Sequence, residues 1–442
     1  MNDIGTTLQE IDAGANACSV EWCPVAGLET CVACSTYLLA DSKGSNADAA
    51  TASAAEGDAA GREMTGDDAV GQTRTGSIVV HKLACTSPTI PPAHTTGADA
   101  PTPAARLKEE ARVSLDGGVL DAKWSHQPLG SSGAAVLACA TSTGRLVLYS
   151  LSTESNGREE DEENDGECVE FLQLASSDAG GNLLLSLDWS GEVLADAKIV
   201  VSQSDGALAI WRPHPNGGAP VQEVAPWRAH TLRGGVPTEA WISFFKTSGR
   251  AGEGEASLLV SGADDALMKG WDLRVGGGAG CSSPAFVCKD HGAGVTAGQW
   301  HPTLQHTFAS GSYDESVRVW DARALRHPMS TTSTGGGLWR LKWHPNPERG
   351  NFLLAACMHA GMCVVDTGMG TKDPLGQDSL PCLNGGEREG IVVKYTRHAS
   401  MAYGADWCRL PALLRSQRAI IASCSFYDSL LCLWQTPPLW TH

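Results

Sequence analysis

The stretch that decides the fold is Ser310–Arg323, which reads S-G-S-Y-D-E-S-V-R-V-W-D-A-R. It combines a polar turn, a strand-like alternation of apolar and polar residues, and a closing Trp-Asp pair. An Asp six residues before a Trp recurs along the chain. The pairs are Asp205 with Trp211, Asp265 with Trp271, Asp314 with Trp320, and Asp428 with Trp434. Such self-similarity predicts a fold built from stacked repeats.

A second repeated mark precedes these copies, a Trp that closes a short alternating strand. The residues that carry it are Trp22, Trp124, Trp189, Trp300, Trp343 and Trp407. Weaker copies of the first pattern, at 137–149 and 353–366, place Thr143 and His359 where the others have Asp. The fourth unit is irregular and offers only 240–245. Together the two marks predict seven units of three or four short strands.

One such sheet cannot bury its own face, so the units must stack, and a closed ring leaves only short, protected edges. The pattern resembles the WD40 repeat and predicts an all-β, seven-bladed WD40 β-propeller with disordered acidic and Gly/Ala/Pro-rich insertions. Residues 6–11 are expected to form the outer strand of the last blade and close the ring. The expected blades are 17–85, 118–153, 183–213, 240–274, 295–323, 338–366 and 403–434. The expected insertions are 41–75, 86–112, 154–168, 275–285 and 367–390.

Composition limits the partners. The net charge of −18 over 442 residues argues against nucleic acid or an anionic membrane as a partner. No secretory signal follows Met1 and no apolar run reaches the length of a membrane span, so we expect a cytoplasmic protein, and a monomer. Fifteen cysteines are then expected to be reduced. Cys31 and Cys34 have C-x-x-C spacing, but no second pair accompanies them, which favours a buried structural pair over zinc or redox chemistry.

Familiar catalytic motifs are missing from the sequence. It contains no G-x-S-x-G elbow, phosphate-binding loop, dinucleotide glycine pattern or H-E-x-x-H helix, so a binding platform is the plain interpretation of the ring. Two sets of residues match the buried hydrogen-bonded network of many WD40 blades. They are His230, Ser261, Asp265 and Trp271, and His291, Ser310, Asp314 and Trp320.

The inner strands suggest a polar channel. The residue before each inner-strand Trp points away from that Trp, because side chains alternate along a strand, and it is expected to face the axis. These residues are Glu21, Lys123, Asp188, Gln299, Lys342 and Asp406, with Asp121 and Arg340 two residues earlier on the same face. They are interpreted either as solvated lining or as groups that hold and polarise an ester.

One turn and several aromatic residues are further candidates. His359 replaces a structural carboxylate, and a His that titrates near neutrality suits acid–base work, although a satisfied core histidine is the alternative. Aromatic and acidic residues of the same face suit a quaternary ammonium group or, equally, a peptide partner. The candidates for substrate binding are Glu21, Tyr313, Glu315, Arg340, Lys342, Tyr403, Phe426 and Tyr427, with Trp339 beside them.

Six runs, in their order and spacing, resemble the diphthine methyl ester hydrolase family, the WD-repeat proteins of diphthamide biosynthesis formerly called diphthine methyltransferases. They are S-V-E-W-C-P at 19–24, E-A-W-I at 239–242, G-S-Y-D-E at 311–315, W-R-L-K-W-H-P at 339–345, L-A-A-C-M-H at 354–359 and Y-G-A-D-W at 403–407. The similarity spans all seven units and stops at the insertions.

The resemblance implies a reaction and a partner. The expected reaction is hydrolysis of the methyl ester of methylated diphthine on translation elongation factor 2, yielding diphthine and methanol, with no metal or organic cofactor. The modified histidine of the factor is expected to enter the upper mouth of the channel. Its trimethylammonium group would rest among aromatic rings and acidic groups.

The chemistry itself has several candidates. A water activated by His359, Asp406 or Asp188 is expected to attack the ester carbonyl. Lys342 or Arg340 would stabilise the oxyanion. A covalent route through Cys357 or Ser425 stays open.

Two non-catalytic functions compete with hydrolysis. The first is an adaptor that binds elongation factor 2 or an amidating enzyme. The second is a substrate receptor of a ubiquitin ligase, because Asp272-Leu-Arg274 and Asp321-Ala-Arg323 have the Asp-x-Arg form that such receptors carry after a Trp-Asp pair.

Overall fold

The regular secondary structure of the described residues is almost entirely β-strand. The structure, a computed structural model, describes residues 3–41, 72–85, 105–128, 133–154, 168–191, 196–214, 218–246, 257–275, 281, 283–369 and 390–439. Seven antiparallel sheets of four strands stand around one axis, and one of them carries an extra short strand. This arrangement confirms the predicted seven-bladed β-propeller.

Each blade runs from an inner strand at the axis to an outer strand at the rim. The inner strands are Asn16–Trp22, Val119–Trp124, Leu184–Trp189, Ile242–Phe245, Val295–Trp300, Arg340–Trp343 and Ala402–Trp407. The second strands are Cys31–Asp41, Ala135–Thr141, Ile199–Gln203, Leu258–Gly262, Thr307–Ser312, Phe352–Ala356 and Ile420–Ser425. The third strands are Gln72–Cys85, Arg145–Glu154, Ala207–Arg212, Met268–Asp272, Ser316–Asp321, Met362–Asp366 and Leu430–Gln435.

The outer strands complete the blades. In chain order of blades 1 to 7 they are Ala105–Leu115, Cys168–Asp178, Val221–Arg228, Phe286–Cys288, Ser330–Ser333, Ile391–Tyr395 and Thr6–Asp12. The extra strand, Asp3–Ile4, pairs in parallel with the outer strand of blade 6. Two short helical turns, Pro347–Arg349 and Pro411–Leu414, follow the inner strands of blades 6 and 7.

The core of the ring lies between blades rather than inside them. In the described residues, seven clusters of buried apolar side chains fill the seven interfaces between neighbouring sheets. One of them joins Val20 and Trp22 of blade 1 to Ile420 and Leu433 of blade 7. The first and last blades therefore seal each other, and the ring is closed.

The closing strand comes from the beginning of the chain. Thr6–Asp12 pairs antiparallel with the third strand of blade 7, with Thr7 opposite Trp434. The Gln9 side chain then bridges to blade 1, accepting from the Leu107 amide at 2.6 Å and donating to the Leu107 carbonyl at 3.1 Å. Blade 7 is thus tied to blade 1 by hydrogen bonds as well as by apolar contact.

The recurring Trp at the end of the inner strand joins consecutive blades. In four blades its indole N–H donates to the backbone carbonyl of the residue before the Trp of the preceding blade, at 2.8–3.2 Å. The four such bonds run from Trp124 to Glu21, from Trp189 to Lys123, from Trp343 to Gln299 and from Trp407 to Lys342. The Trp side chain lies between two blades. Because successive side chains of a strand point to opposite faces, the side chain of the residue before the Trp faces the axis.

The two predicted polar networks are present, in blades 4 and 5. In blade 5, His291 bonds Ser310 at 2.7 Å and Asp314 at 3.2 Å, and the Trp320 indole donates to Ser310 at 2.8 Å. The Arg318 guanidinium adds a bond of 2.7 Å to Asp314. Hydrogen bonds from these partners outweigh burial and hold the pKa of Asp314 well below its usual range.

The equivalent network of blade 4 joins His230 to Asp265 and Ser261, with Trp271 donating to Ser261 at 2.8 Å. Blade 7 has a variant in which His398 bonds two hydroxyls, those of Ser423 and Ser425, each at 2.7 Å. These histidines, carboxylates and hydroxyls link the strands within each of the three blades.

The structure differs from the sequence interpretation in blade 1. Its outer strand, Ala105–Leu115, lies largely inside the expected insertion 86–112. The charged residues Lys108, Glu109 and Arg112 hid the strand, because an outer edge exposes one side to water and tolerates such residues. The central parts of the expected insertions, 42–71, 86–104, 155–167, 276–280 and 370–389, lie outside the described residues.

Cys31 and Cys34 lie on one strand but face different interfaces. Cys31 packs between blades 1 and 2, and Cys34 packs between blades 7 and 1. Both are buried. The two thiols point away from each other, which fits the structural interpretation.

Candidate functional site

A polar cavity of about 60 Å³ lies on the axis of the ring, with room for several water molecules. Residues on or just after the inner strands of all seven blades line it. Its polar lining residues are Glu21, Lys123, His126, Asp188, Gln299, Arg340, Lys342 and Arg409. Of the six residues that precede an inner-strand Trp, five line the cavity and Asp406 does not.

Asp406 and Asp188 occupy the same position in blades 7 and 3, but their carboxylates differ. Asp406 is fully buried, and it accepts from the Trp22 amide at 2.8 Å and from the Trp407 amide at 2.9 Å. Asp188 accepts from the Phe245 amide through Oδ2, at 2.9 Å. Its Oδ1 has only an ion pair with Lys123, at 3.5 Å. Asp188 therefore keeps an oxygen for a water in the cavity.

Two of the axial cations are saturated by carboxylates. Lys342 donates to both oxygens of Glu21 at 2.6 Å, across the gap between blades 6 and 1. Arg340 pairs with Asp121 at 2.9 Å. Burial raises the pKa of Glu21, and Lys342 opposes that rise. These two pairs neutralise charge inside the ring and leave Lys342 and Arg340 poorly placed to receive a new anion.

His126 and Arg409 also line the cavity, and neither was among the residues predicted from the sequence. Each stands two residues after an inner-strand Trp, Trp124 and Trp407 respectively. Pro24 has the same offset from Trp22 and lines the cavity too. This shared offset is the signal that would have found them.

An aromatic belt lies beside the cavity, at the end of the ring where the inner strands begin and the second strands end. We define the aromatic belt as Trp241, Tyr313, Trp339, Tyr403 and Phe426, all half-buried. Ring centroids lie 5.5 Å apart for Trp241 and Trp339, 4.6 Å for Trp339 and Tyr403, and 5.4 Å for Tyr403 and Phe426. Trp339 also lines the cavity, so the belt and the cavity are continuous.

Carboxylates accompany the belt. The Trp241 indole donates to Asp264 at 2.6 Å, and burial raises the pKa of Asp264. Burial, and then Asp264, raises the pKa of Tyr313. Glu315 lies in the neighbouring turn with φ of 61°. The opening combines aromatic faces with negative charge, which is the environment that attracts an organic cation.

The remaining predicted residues lie at the periphery of this opening. His359 is exposed in the turn between the second and third strands of blade 6, and it does not line the cavity. Tyr427 is 72% exposed and packs against Phe426 with ring centroids 5.0 Å apart. These positions allow contact with a large partner but not with a group inside the cavity.

The two candidate nucleophiles are enclosed. Ser425 is fully buried and bonded to His398 at 2.7 Å. The Cys357 thiol is buried, with its sulfur 3.5 Å from that of Cys363. Neither lines the axial cavity, which speaks against a covalent route through them.

Among the described residues, no three His, Cys, Asp or Glu side chains converge to hold a metal ion. No helix in the described part of the chain is long and apolar enough to cross a membrane.

The fold and the cavity define a WD-repeat propeller with a charged axial chamber. The chain is 32% identical over 408 residues to a diphthine methyltransferase of Mus musculus, covering 90% of this chain and 69% of that protein. It is also 32% identical over 341 residues to a diphthine methyltransferase homolog of Dictyostelium discoideum, covering 74% of this chain and 79% of the relative. The chain belongs to the diphthine methyltransferase family, which confirms the resemblance seen in the sequence.

Other comparisons concern the fold alone. A solved chain described as "Crystal Structure of Mitotic Checkpoint Complex" matches 97% of this chain and 94% of its own length, with a TM-score of 0.56 and 14% identity. No family profile matches the chain.

Proposed function

We propose that this protein hydrolyses the methyl ester of methylated diphthine on translation elongation factor 2, releasing diphthine and methanol in diphthamide biosynthesis. Membership of the diphthine methyltransferase family supports the pathway. The observation that carries the reaction type is the axial cavity, in which Asp188 keeps a carboxylate oxygen without a hydrogen bond.

In the proposed reaction, Asp188 acts as the general base. A water bonded to Asp188 Oδ1 attacks the ester carbonyl carbon and gives its proton to the carboxylate. The tetrahedral intermediate collapses by breaking the bond to the methoxy oxygen. The proton returns to that oxygen, so methanol leaves and the carboxylic acid remains.

Substrate recognition is assigned to the aromatic belt. A trimethylammonium group is attracted to the faces of aromatic rings, and the attraction reaches about 2 kcal/mol when the cation loses its water. Tyr313, Tyr403 and Phe426 supply such faces, and Glu315 adds negative charge beside them. Trp339 packs against Tyr403 and also lines the cavity, so the proposed cation site is continuous with the cavity.

The other candidates receive supporting roles in this proposal. Asp406 fixes the inner strands of blades 7 and 1, and His359 and Tyr427 lie where the elongation factor would dock. Glu21, Arg340 and Lys342 form the charged wall of the cavity. We place the reaction in the cytoplasm, with elongation factor 2 as the macromolecular partner.

The test is methanol release from purified methylated elongation factor 2 by this protein alone. We expect stoichiometric methanol from the wild type and a large loss with Asp188→Asn. Binding of the factor without any methanol from wild-type protein would instead support the adaptor, whose task needs only a docking surface.

A further inference from the structure

Among the described residues that line the axial cavity, the side chains of Lys123, His126 and Arg409 donate no hydrogen bond to the protein. Lys123 Nζ has only ion pairs, at 3.5 Å with Asp188 and 3.9 Å with Asp121. Arg409 Nη2 is 3.7 Å from Asp406, beyond hydrogen-bond range, and its Nε is buried without an acceptor. Buried polar groups are normally satisfied, so the buried Arg409 Nε in particular calls for an acceptor from outside the chain.

The contrast with the other axial cations is direct. Lys342 and Arg340 each hold a carboxylate at 2.6–2.9 Å. At Lys342 a new anion would have to displace Glu21, and that buried carboxylate would then be left without its partner. Lys123 and Arg409 require no such exchange, because the aspartates near them already bond backbone amides.

We propose that Lys123, His126 and Arg409 form a subsite for the carboxyl oxygens of a ligand. The subsite holds the carbonyl oxygen of an ester as it becomes an oxyanion, and then holds the carboxylate that hydrolysis leaves. This assignment deepens the proposed function and rests on it for the identity of the carboxylate. The separation of 3.5 Å between Lys123 Nζ and Asp188 Oδ1 places an oxyanion donor beside the proposed base.

His126 enters this subsite as a neutral ring. Desolvation inside the channel lowers the pKa of His126, and the cations Arg409, Lys342 and Lys123 lower it further against the effect of Asp188. A neutral imidazole donates one N–H to a carboxyl oxygen. His126 therefore adds a hydrogen-bond donor beside the positive charges of Lys123 and Arg409 without adding a third positive charge.

The test is direct binding of acetate, chosen as the smallest carboxylate probe, to the full chain. Line broadening of the acetate methyl signal in NMR measures it without turnover. We expect Lys123→Met and Arg409→Met each to weaken acetate binding about tenfold to hundredfold, because a charge-assisted hydrogen bond is lost. His126→Gln is expected to have a smaller effect, and acetamide, the neutral isostere, is expected to bind far more weakly than acetate.

The matched control is Lys108→Met, which removes an exposed lysine from the outer strand of blade 1 and is expected to leave acetate binding unchanged. Thermal unfolding of every variant separates loss of the subsite from loss of the ring. If Lys123→Met or Arg409→Met does not fold, His126→Gln still tests the subsite. The His126 side chain is exposed, so its replacement should not disturb the ring.

The outcomes are distinct from those of the proposed function. Wild-type affinity for acetate in all three folded variants would overturn the subsite, whatever the protein does to esters. Acetate binding that depends on these residues, in a protein that releases no methanol, would support the subsite and overturn the hydrolase.

Discussion

Blades 3 and 7 place an aspartate at the same point, directly before the Trp that ends the inner strand. In blade 7 both oxygens of Asp406 bond backbone amides, one of them in the next blade. In blade 3 Asp188 bonds the next blade through one oxygen and presents the other to the cavity. The repeat fixes where the side chain lies, and the number of amides within reach decides whether it joins blades or remains available for chemistry.

The strongest test of this comparison is Asp188→Asn. The amide oxygen still accepts from Phe245, so the fold should persist, but the base is gone and methanol release should fall by about 10²- to 10⁴-fold. Single-turnover methanol release measures it. The matched control is Asp205→Asn, a turn aspartate of the same blade that bonds Asn182 and Ala207, and it should retain activity. Full activity in Asp188→Asn would remove the distinction between the two blades.

The second test addresses the aspartate committed to the fold. Asp406→Ala leaves the Trp22 and Trp407 amides without acceptors, and each buried unsatisfied group costs about 1–3 kcal/mol. We expect a loss of about 3 kcal/mol in the free energy of unfolding, measured by urea denaturation. Asp406→Asn retains one acceptor and should lie between alanine and wild type. Equal stability of all three proteins would contradict a joining role.

The third test extends the comparison to titration. Burial lowers the pKa of His301 to about 4, below the value near 6.5 of an unfolded chain. The unfolded chain therefore binds the proton first as the pH falls, and stability is lost between about pH 6.5 and 4. His301→Gln should reduce the loss from pH 7 to pH 5 by about 2 kcal/mol, as urea midpoints will show. The matched control is His327→Gln, which changes an exposed histidine.

The smallest effect is expected at His359. Its side chain is exposed in a turn and lies outside the cavity lining, so His359→Ala should change stability by less than about 0.5 kcal/mol. Methanol release from a purified substrate should remain near that of the wild type. A loss comparable with that of Asp188→Asn would mean that the catalytic residue lies in the turns outside the axial cavity and not within it.

The ring itself was predictable because its marks are local. The Asp-to-Trp spacing, as in Asp314 and Trp320, lies within one hairpin, and the His291 network spans only neighbouring strands. Alternation along a strand also indicated that Lys123 and Asp188 face the axis. In blade 4 the irregular mark corresponds to a real irregularity, since the inner strand ends in Phe245 rather than Trp.

The axial chemistry was less predictable because it joins residues from different blades. Glu21 and Lys342 are far apart in the chain, and no local pattern shows that they neutralise each other. For the same reason the sequence did not separate Asp188 from Asp406. His126 and Arg409 follow their strands, where side-chain alternation no longer applies, and only their common offset from Trp pointed to them.

The pairing of Thr7 with Trp434 has a consequence for how the chain folds. Residues 8–433 lie between these partners, so we expect the ring to acquire its last strand only after the other blades have formed. Such a contact does not contribute to early nucleation, because the entropy cost of closing so long a loop opposes it until the rest of the ring has formed. Until then the unpaired edge of blade 7 is exposed, and newly made protein is at its most vulnerable to aggregation.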